Sequence, residues 1–146
     1  MVSTMALAAF SRIDTPEEKR GDFMVYLDEF QNFTTLSVAN MVSELRKFRV
    51  GLVAAQQVLA QSEPDVRHAI LGNVGTLIAF RIGPEDAMVI GREFAPIFEP
   101  VDLISLPNFT CYIKLMIDRA PSPPFSATTL TPEEVARHLG RKMNLR

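Results

Sequence analysis

Asp28 and Glu29 are the residues of this sequence best placed for chemistry. They stand side by side directly after the apolar run Phe23-Met24-Val25-Tyr26-Leu27. Such unbroken apolarity reads as a strand buried on both faces of a parallel sheet, and the carboxyl end of that kind of strand is where open α/β sheets bind ligands. In nucleoside triphosphatases an Asp in this place orders the magnesium shell and the Glu after it polarises the attacking water, so the run and its two acids match a Walker B pattern. A buried strand running into a charged loop produces the same pattern. A second apolar run, Val50-Gly51-Leu52-Val53-Ala54-Ala55, ends in Gln56-Gln57. A side-chain amide there could sense a γ-phosphate or orient a water, or simply cap a helix. Arg81 lies at the end of a third run, Thr76 to Ile82. Its planar cation could reach a neighbour's phosphates as an arginine finger, or pair with Glu85 or Asp86.

These groups need strands and helices to hold them. Val38, Met41, Val42, Leu45 and Phe48 recur at helical spacing, with Thr34, Thr35 and Ser37 as N-cap candidates. Gln56 to Ser62 reads as polar and helical, and Pro64 opens a helix in which Val66, Ala69 and Ile70 share a face before Gly72-Asn73 and Gly75 stop it. Gly83-Pro84-Glu85-Asp86 starts the next, with Ala87, Ile90 and Phe94 as its buried face. Asp102 to Leu106 is a brief helical turn, and Thr110 to Asp118 a fourth strand in which Lys114 suits an edge position. Pro121-Ser122-Pro123-Pro124 forces extended backbone, and Thr131-Pro132-Glu133-Glu134 caps a last helix carrying Val135, Ala136 and Leu139. Three strands each followed by a helix predict a right-handed parallel α/β layer, joined by an antiparallel fourth strand.

The chain has 146 residues, 47% of them hydrophobic and 22% charged, which suits one globular domain over 1–146. Its net charge of −2 argues against a strongly basic, free-standing nucleic-acid binder. One Cys and two His exclude an internal disulfide and a Cys/His metal cluster. No partner spacing supports a thiol or metal enzyme on Cys111, His68 or His138, and Cys111, inside an apolar strand, reads as buried. No apolar run approaches the ~20 residues of a membrane helix, so a cytoplasmic, soluble domain is expected. The tail bases Arg137, Arg141, Lys142 and Arg146 read as a solvated helix end.

In their order these pieces resemble a family. Met24-Val25-Tyr26-Leu27-Asp28-Glu29-Phe30-Gln31-Asn32-Phe33, then Glu44-Leu45-Arg46-Lys47-Phe48-Arg49, then Ala54-Ala55-Gln56-Gln57-Val58-Leu59-Ala60-Gln61 look like the conjugative coupling proteins and the related HerA/FtsK DNA-pumping ATPases. The likeness continues through Ala69-Ile70-Leu71-Gly72-Asn73-Val74-Gly75-Thr76, Phe80-Arg81-Ile82-Gly83-Pro84-Glu85-Asp86-Ala87, Arg92-Glu93-Phe94 and Ala120-Pro121-Ser122-Pro123-Pro124-Phe125, covering residues 20–130. Residues 131–146 are then the C-terminal helix and basic tail. The resemblance implies an incomplete RecA-like three-layer α/β sandwich, with a mainly parallel sheet and an antiparallel strand near the C-terminus. It implies a hexameric motor on DNA that uses ATP and Mg2+. Asp28 would be the metal-ordering and nucleotide-contacting acid, Glu29 the catalytic base, Gln57 the sensor with Gln56 ranked below it, and Arg81 the finger offered to the adjacent subunit. Attachment to the inner membrane face, where the family has it, would come through segments outside this chain.

The sequence departs from that family in one respect. No Gly-Lys pair of a GxxxxGK[ST] phosphate loop occurs, and 22 residues precede the first strand, fewer than the roughly 30 of a strand, loop and helix unit. The chain alone is therefore expected to be inactive, as the C-terminal part of a DNA-translocating ATPase. The alternative is a non-catalytic interaction module derived from such a motor, binding a full-length relative or another secretion component. In a RecA-like sheet the loop-bearing strand lies beside the sensor strand, so the strands ending at Ala55 and Ile82 should either pair directly or leave an edge that recruits another chain.

Overall fold

The computed structural model describes residues 11–33 and 44–138. The chain divides between Val74 and Gly75 into two compact units. Several expectations fall outside the described residues: the helical positions Val38, Met41 and Val42 with their caps, Leu139, and the tail bases Arg141, Lys142 and Arg146.

In the first unit the two apolar runs form β1 (Phe23–Leu27) and β2 (Val50–Ala54), paired in parallel with Phe23 opposite Val50 and Leu27 opposite Ala54. Side chains alternate across a strand, so Val25 and Leu27 share a face with Val50 and Leu52. That face packs on Leu45 and Phe48, and Val25, Leu45, Phe48 and Val50 form the buried cluster. Glu44 and Leu45 are helical, and a 3-10 turn over Arg46–Phe48 ends at Arg49, whose φ of 56° reverses the chain into β2. The connector before β1 is fastened by Arg20. Its guanidinium lies 5.7 Å from the centre of the Phe48 ring and donates to the carbonyls of Thr15 (2.7 Å) and Lys47 (2.8 Å).

Residues 56–61 do not form the expected helix. Glu63 is extended (ψ 145°), as the residue before a proline prefers, so helix α1 (Pro64–Asn73) begins only at Pro64. Val66 is the buried residue of α1.

The second unit holds β3 (Leu77–Ala79), α2 (Pro84–Phe94), α3 (Pro100–Ile104), β4 (Thr110–Lys114), the two-residue strands β5 (Met116–Ile117) and β6 (Ala120–Pro121), β7 (Phe125–Thr128) and α4 (Pro132–His138). Its main sheet runs β3-β4-β7, antiparallel throughout. Helix α2 buries Ala87, Ile90 and Phe94 as their spacing predicts. Phe94 and Phe98 both meet the Tyr112 ring, Phe98 stacked on it at 3.7 Å. Gly91 lets α3 come close: a Cβ there would lie 2.9 Å from Pro100 Cγ.

The third and fourth strands are shorter than the sequence suggests. β3 ends at Ala79, and the Ile82 amide bonds the Leu103 carbonyl instead of continuing the ladder. The fourth run breaks at Leu115, whose amide is taken by Ser122 Oγ and whose carbonyl accepts from the Ser122 amide. Asp118 and Arg119, at φ 50° and 67°, then turn β5 onto β6. Lys114 lies in the central strand and not on an edge strand. It sits one residue past the stretch of β4 that pairs with β7, and its Nζ meets Glu93 Oε2 at 3.1 Å. β7 carries no strand signal in its sequence, Phe-Ser-Ala-Thr, and gets its conformation from β4. β2 has β1 as its partner and β3 has β4; neither has a second partner among the described strands, so direct pairing of the runs ending at Ala55 and Ile82 is not formed.

Candidate functional site

Asp28 and Glu29 follow β1 directly, in the place that the apolar run predicts. The Ala55 amide donates to the Leu27 carbonyl (2.8 Å) and the Phe30 amide to the Ala55 carbonyl (2.9 Å), so the acids are framed by the two strand ends. Phe30, 1% exposed, is buried at this corner. Both acids remain exposed. Asp28 Oδ1 accepts the Glu29 amide at 2.9 Å, and Glu29 adopts φ 48°, the left-handed conformation that turns the chain between strand and 3-10 turn. The turn Phe30–Phe33 places Asn32 so that its Nδ2 donates to Glu29 Oε2 at 3.1 Å. A carboxylate is thereby held by a neutral donor and keeps lone pairs for a water or a proton.

Gln56 and Gln57 lie just past β2, at the same end of the strand pair. Gln57 is exposed, whereas Gln56 is half-buried and its Oε1 is shielded from solvent with no hydrogen-bond partner. Gln31 Oε1, in the turn after the acids, is in the same condition. Of the two neighbouring amides, Gln56 is the inward one.

Arg81 belongs to the second unit, in the loop between β3 and α2. It is exposed, and its Nη2 donates to Asn108 Oδ1 at 3.0 Å, a partner 27 residues away that spacing cannot reveal. Asn32 and Asn108 are thus the neighbours that sequence reasoning missed. Asn32 sits three residues after Glu29, but that spacing has meaning only once the 3-10 turn is known.

Among the described residues no group of three or more His, Cys, Asp or Glu could hold a metal ion. Cys111 is 3% exposed, and burial pushes its thiol pKa up, so it is poorly suited to nucleophilic work. Burial, with the charge of Asp102, likewise raises the Tyr112 phenol. No helix among the described residues is long and apolar enough to cross a membrane.

No protein-family model matches the chain, and no curated protein matches its sequence. Solved structures do match. The plasmid coupling protein TrwB, in complex with a non-hydrolysable GTP analogue, superposes with a TM-score of 0.63 at 17% identity over 86% of this chain. The chain carries part of the RecA-like α/β fold. The same protein with a non-hydrolysable ATP analogue matches equally, and VirB4 of Thermoanaerobacter pseudethanolicus matches with a TM-score of 0.62 at 14% identity over 92% of this chain. The chain spans about a third of those proteins, 35% of the TrwB chain and 37% of the VirB4 chain.

Proposed function

We propose that this chain is part of an ATP-driven DNA-translocating motor of the conjugative-transfer and type IV secretion coupling class. The observation that carries the reading is the pair Asp28-Glu29 at the carboxyl end of a parallel strand pair, in a fold shared with a coupling protein whose solved structures hold nucleotide analogues. Mg2+ is usually bound through one or two carboxylates together with substrate phosphates, so a single Asp28 is a sufficient protein ligand. Glu29, positioned by Asn32, would take the proton of the attacking water. Gln57 is the sensor of this reading, with Gln56 beside it. Arg81, exposed, is the finger offered to an adjacent subunit of a hexamer. ATP supplies the phosphoanhydride whose hydrolysis drives movement. The domain would work on the cytoplasmic side, at the inner membrane face.

Without a Gly-rich phosphate loop the chain is inactive alone. Titration calorimetry with magnesium ATP is expected to show no binding to the isolated chain. In a motor completed by a loop-bearing half, Glu29→Gln should lower hydrolysis by roughly a hundredfold or more while nucleotide binding persists. Unchanged turnover would remove Glu29 from the role of base. A second reading, a non-catalytic interaction module, is favoured by the apolar residues Met24, Tyr26 and Val53 that the first unit leaves exposed.

A further inference from the structure

Residues 11–22 lead into β1 through two 3-10 turns, Ser11–Asp14 and Glu17–Lys19, and neither turn buries a residue. Ile13, the one large aliphatic side chain among them, is 66% exposed. Apolar burial, the main force that holds a segment onto a core, therefore contributes little here. The backbone bonds inside the segment run from the Thr15 amide to the Arg12 carbonyl, from Lys19 to Pro16 and from Arg20 to Glu17. Each closes a single turn, and single turns do not persist in water unaided.

Guanidinium groups hold the segment in place. Arg20 Nε donates to the carbonyls of Arg12 (3.1 Å) and Thr15 (2.7 Å), Nη2 to that of Ile13 (3.3 Å), and Nη1 crosses to that of Lys47 (2.8 Å). Three of these bonds gather the segment around one side chain. The fourth, with the Phe48 ring 5.7 Å from Arg20 Cζ, ties it to the turn before β2. A planar fork of donors can do this, whereas the point charge of a lysine cannot. Arg49 adds a second tie, its Nη1 on the Arg20 carbonyl and its Nε on Asp22 Oδ1, both at 3.0 Å. The Asp22 and Arg49 side chains are exposed, so that ion pair contributes little. Phe48, under Arg20, belongs to the buried cluster of the unit.

We propose that residues 11–22 form a releasable strap whose latch is Arg20. Closed, the strap covers Phe48 at the amino end of the β1-β2 pair and sets the direction in which the chain enters β1. Open, it leaves as one unit and uncovers Phe48, while the β1-β2 ladder and the acids at its opposite end stay in place. Such a segment, with few buried apolar contacts beside a cooperative core, is the kind that opens below the stability of the whole. The two states differ by the contacts of one side chain with neutral carbonyls and a ring. Opening therefore answers to loss of the guanidinium fork and not to screening by salt. The inference concerns the amino end of the strands and does not rest on the proposed hydrolysis.

The test is amide hydrogen exchange of the full chain, read at Thr15, Lys19 and Arg20 for the strap and at Ala55, whose amide bonds the Leu27 carbonyl, for the strand pair. The three strap amides should share one protection factor within about threefold, at least about tenfold above an unstructured chain and at least about tenfold below Ala55. Arg20→Lys, which keeps the charge and loses the fork, should bring all three to within about threefold of an unstructured chain and leave Ala55 unchanged. Asp22→Asn, or salt raised to about 0.5 M, should change the three by less than about threefold. Strap amides without protection would mean that no closed state exists, and strap amides as slow as Ala55 would mean that the segment opens only with the strands; either overturns the proposal. Unequal responses of the three amides to Arg20→Lys would show that they do not open as a unit. Acceleration of Ala55 by Arg20→Lys would make Arg20 part of the core, and an effect of Asp22→Asn or of salt as large as that of Arg20→Lys would make the ion pair the latch. Each of these results refutes the strap as described.

Discussion

The two units of this chain bury their apolar residues to different ends. In the second, Ala87, Phe94 and Leu103 are fully shielded, and two helices and three antiparallel strands enclose them. In the first, a parallel pair is packed on one face only, and Met24 and Tyr26 of the central apolar run remain exposed. Antiparallel strands can close locally through short turns, as β5 and β6 do at Asp118-Arg119. Parallel strands need long crossovers and cover from both sides. The unit that carries Asp28 and Glu29 is thus the less complete of the two, and the unit that carries Arg81 is the more self-contained. For the acid pair proposed above the difference matters, because the carboxyl end of an open strand pair leaves room for a ligand, which a filled core does not.

The comparison can be broken by truncating each core. Phe94→Ala should have the largest effect, about 3–5 kcal/mol in denaturant unfolding, because it empties a fully buried site against Tyr112. Val25→Ala removes less volume from a smaller cluster and should cost about 1–3 kcal/mol. If Val25→Ala proves the costlier, the first unit holds the firmer core and the contrast is reversed. Between these and the surface lies the approach of α2 to α3. Gly91→Ala places a methyl 2.9 Å from Pro100 Cγ and should cost about 1–3 kcal/mol by overpacking, measured as a drop in Tm.

The smallest expected effect sharpens the comparison at an exposed site, the start of α4. Thr131 and Glu134 form a reciprocal cap, with the Thr131 amide on Glu134 Oε2 at 2.8 Å and the Glu134 amide on Thr131 Oγ1 at 3.3 Å. These bonds lower the Glu134 carboxyl below its ordinary pKa. A carboxyl whose folded pKa lies below its unfolded one stabilises fully above the unfolded value, and that contribution is lost as the pH falls through the folded value. Helicity at residues 132–138 should therefore fray on acidification before the sheet is affected, and Thr131→Ala should cost about 1 kcal/mol at neutral pH and flatten that acid transition. Site-resolved NMR shifts across a pH series would report both.

Much of this was legible in the residues. Phe23 to Leu27 and Val50 to Ala54 announced strands because every position is apolar or glycine, but the expected cover on both faces is not there, since Phe23, Met24, Tyr26 and Val53 stay exposed; the acids after the first stand at the end where a sheet presents ligand-binding groups. Pro84 with Glu85 and Asp86 announced α2, and Ala87, Ile90 and Phe94 its buried face, because a helix start and a 3.6-residue period are written in consecutive residues. The capping residues Thr131 and Glu134 were legible for the same reason. The resemblance of the ordered segments to conjugative motors agrees with the fold that TrwB and VirB4 share with this chain.

What the tertiary structure alone decided is what depends on distant residues. β3 stops at Ala79 because Leu103 takes the Ile82 amide, the fourth run breaks at Leu115 because Ser122 takes its amide and carbonyl, and β7 exists because β4 offers an edge to Phe-Ser-Ala-Thr. Arg81 meets Asn108 across 27 residues, and Gln56, not Gln57, is the inward amide. A local sequence fixes propensity and periodicity, which act over a few residues. Ladder ends, side-chain partners and the orientation of one amide against its neighbour are set by hydrogen bonds to groups far along the chain, and those appear only when the chain has closed upon itself.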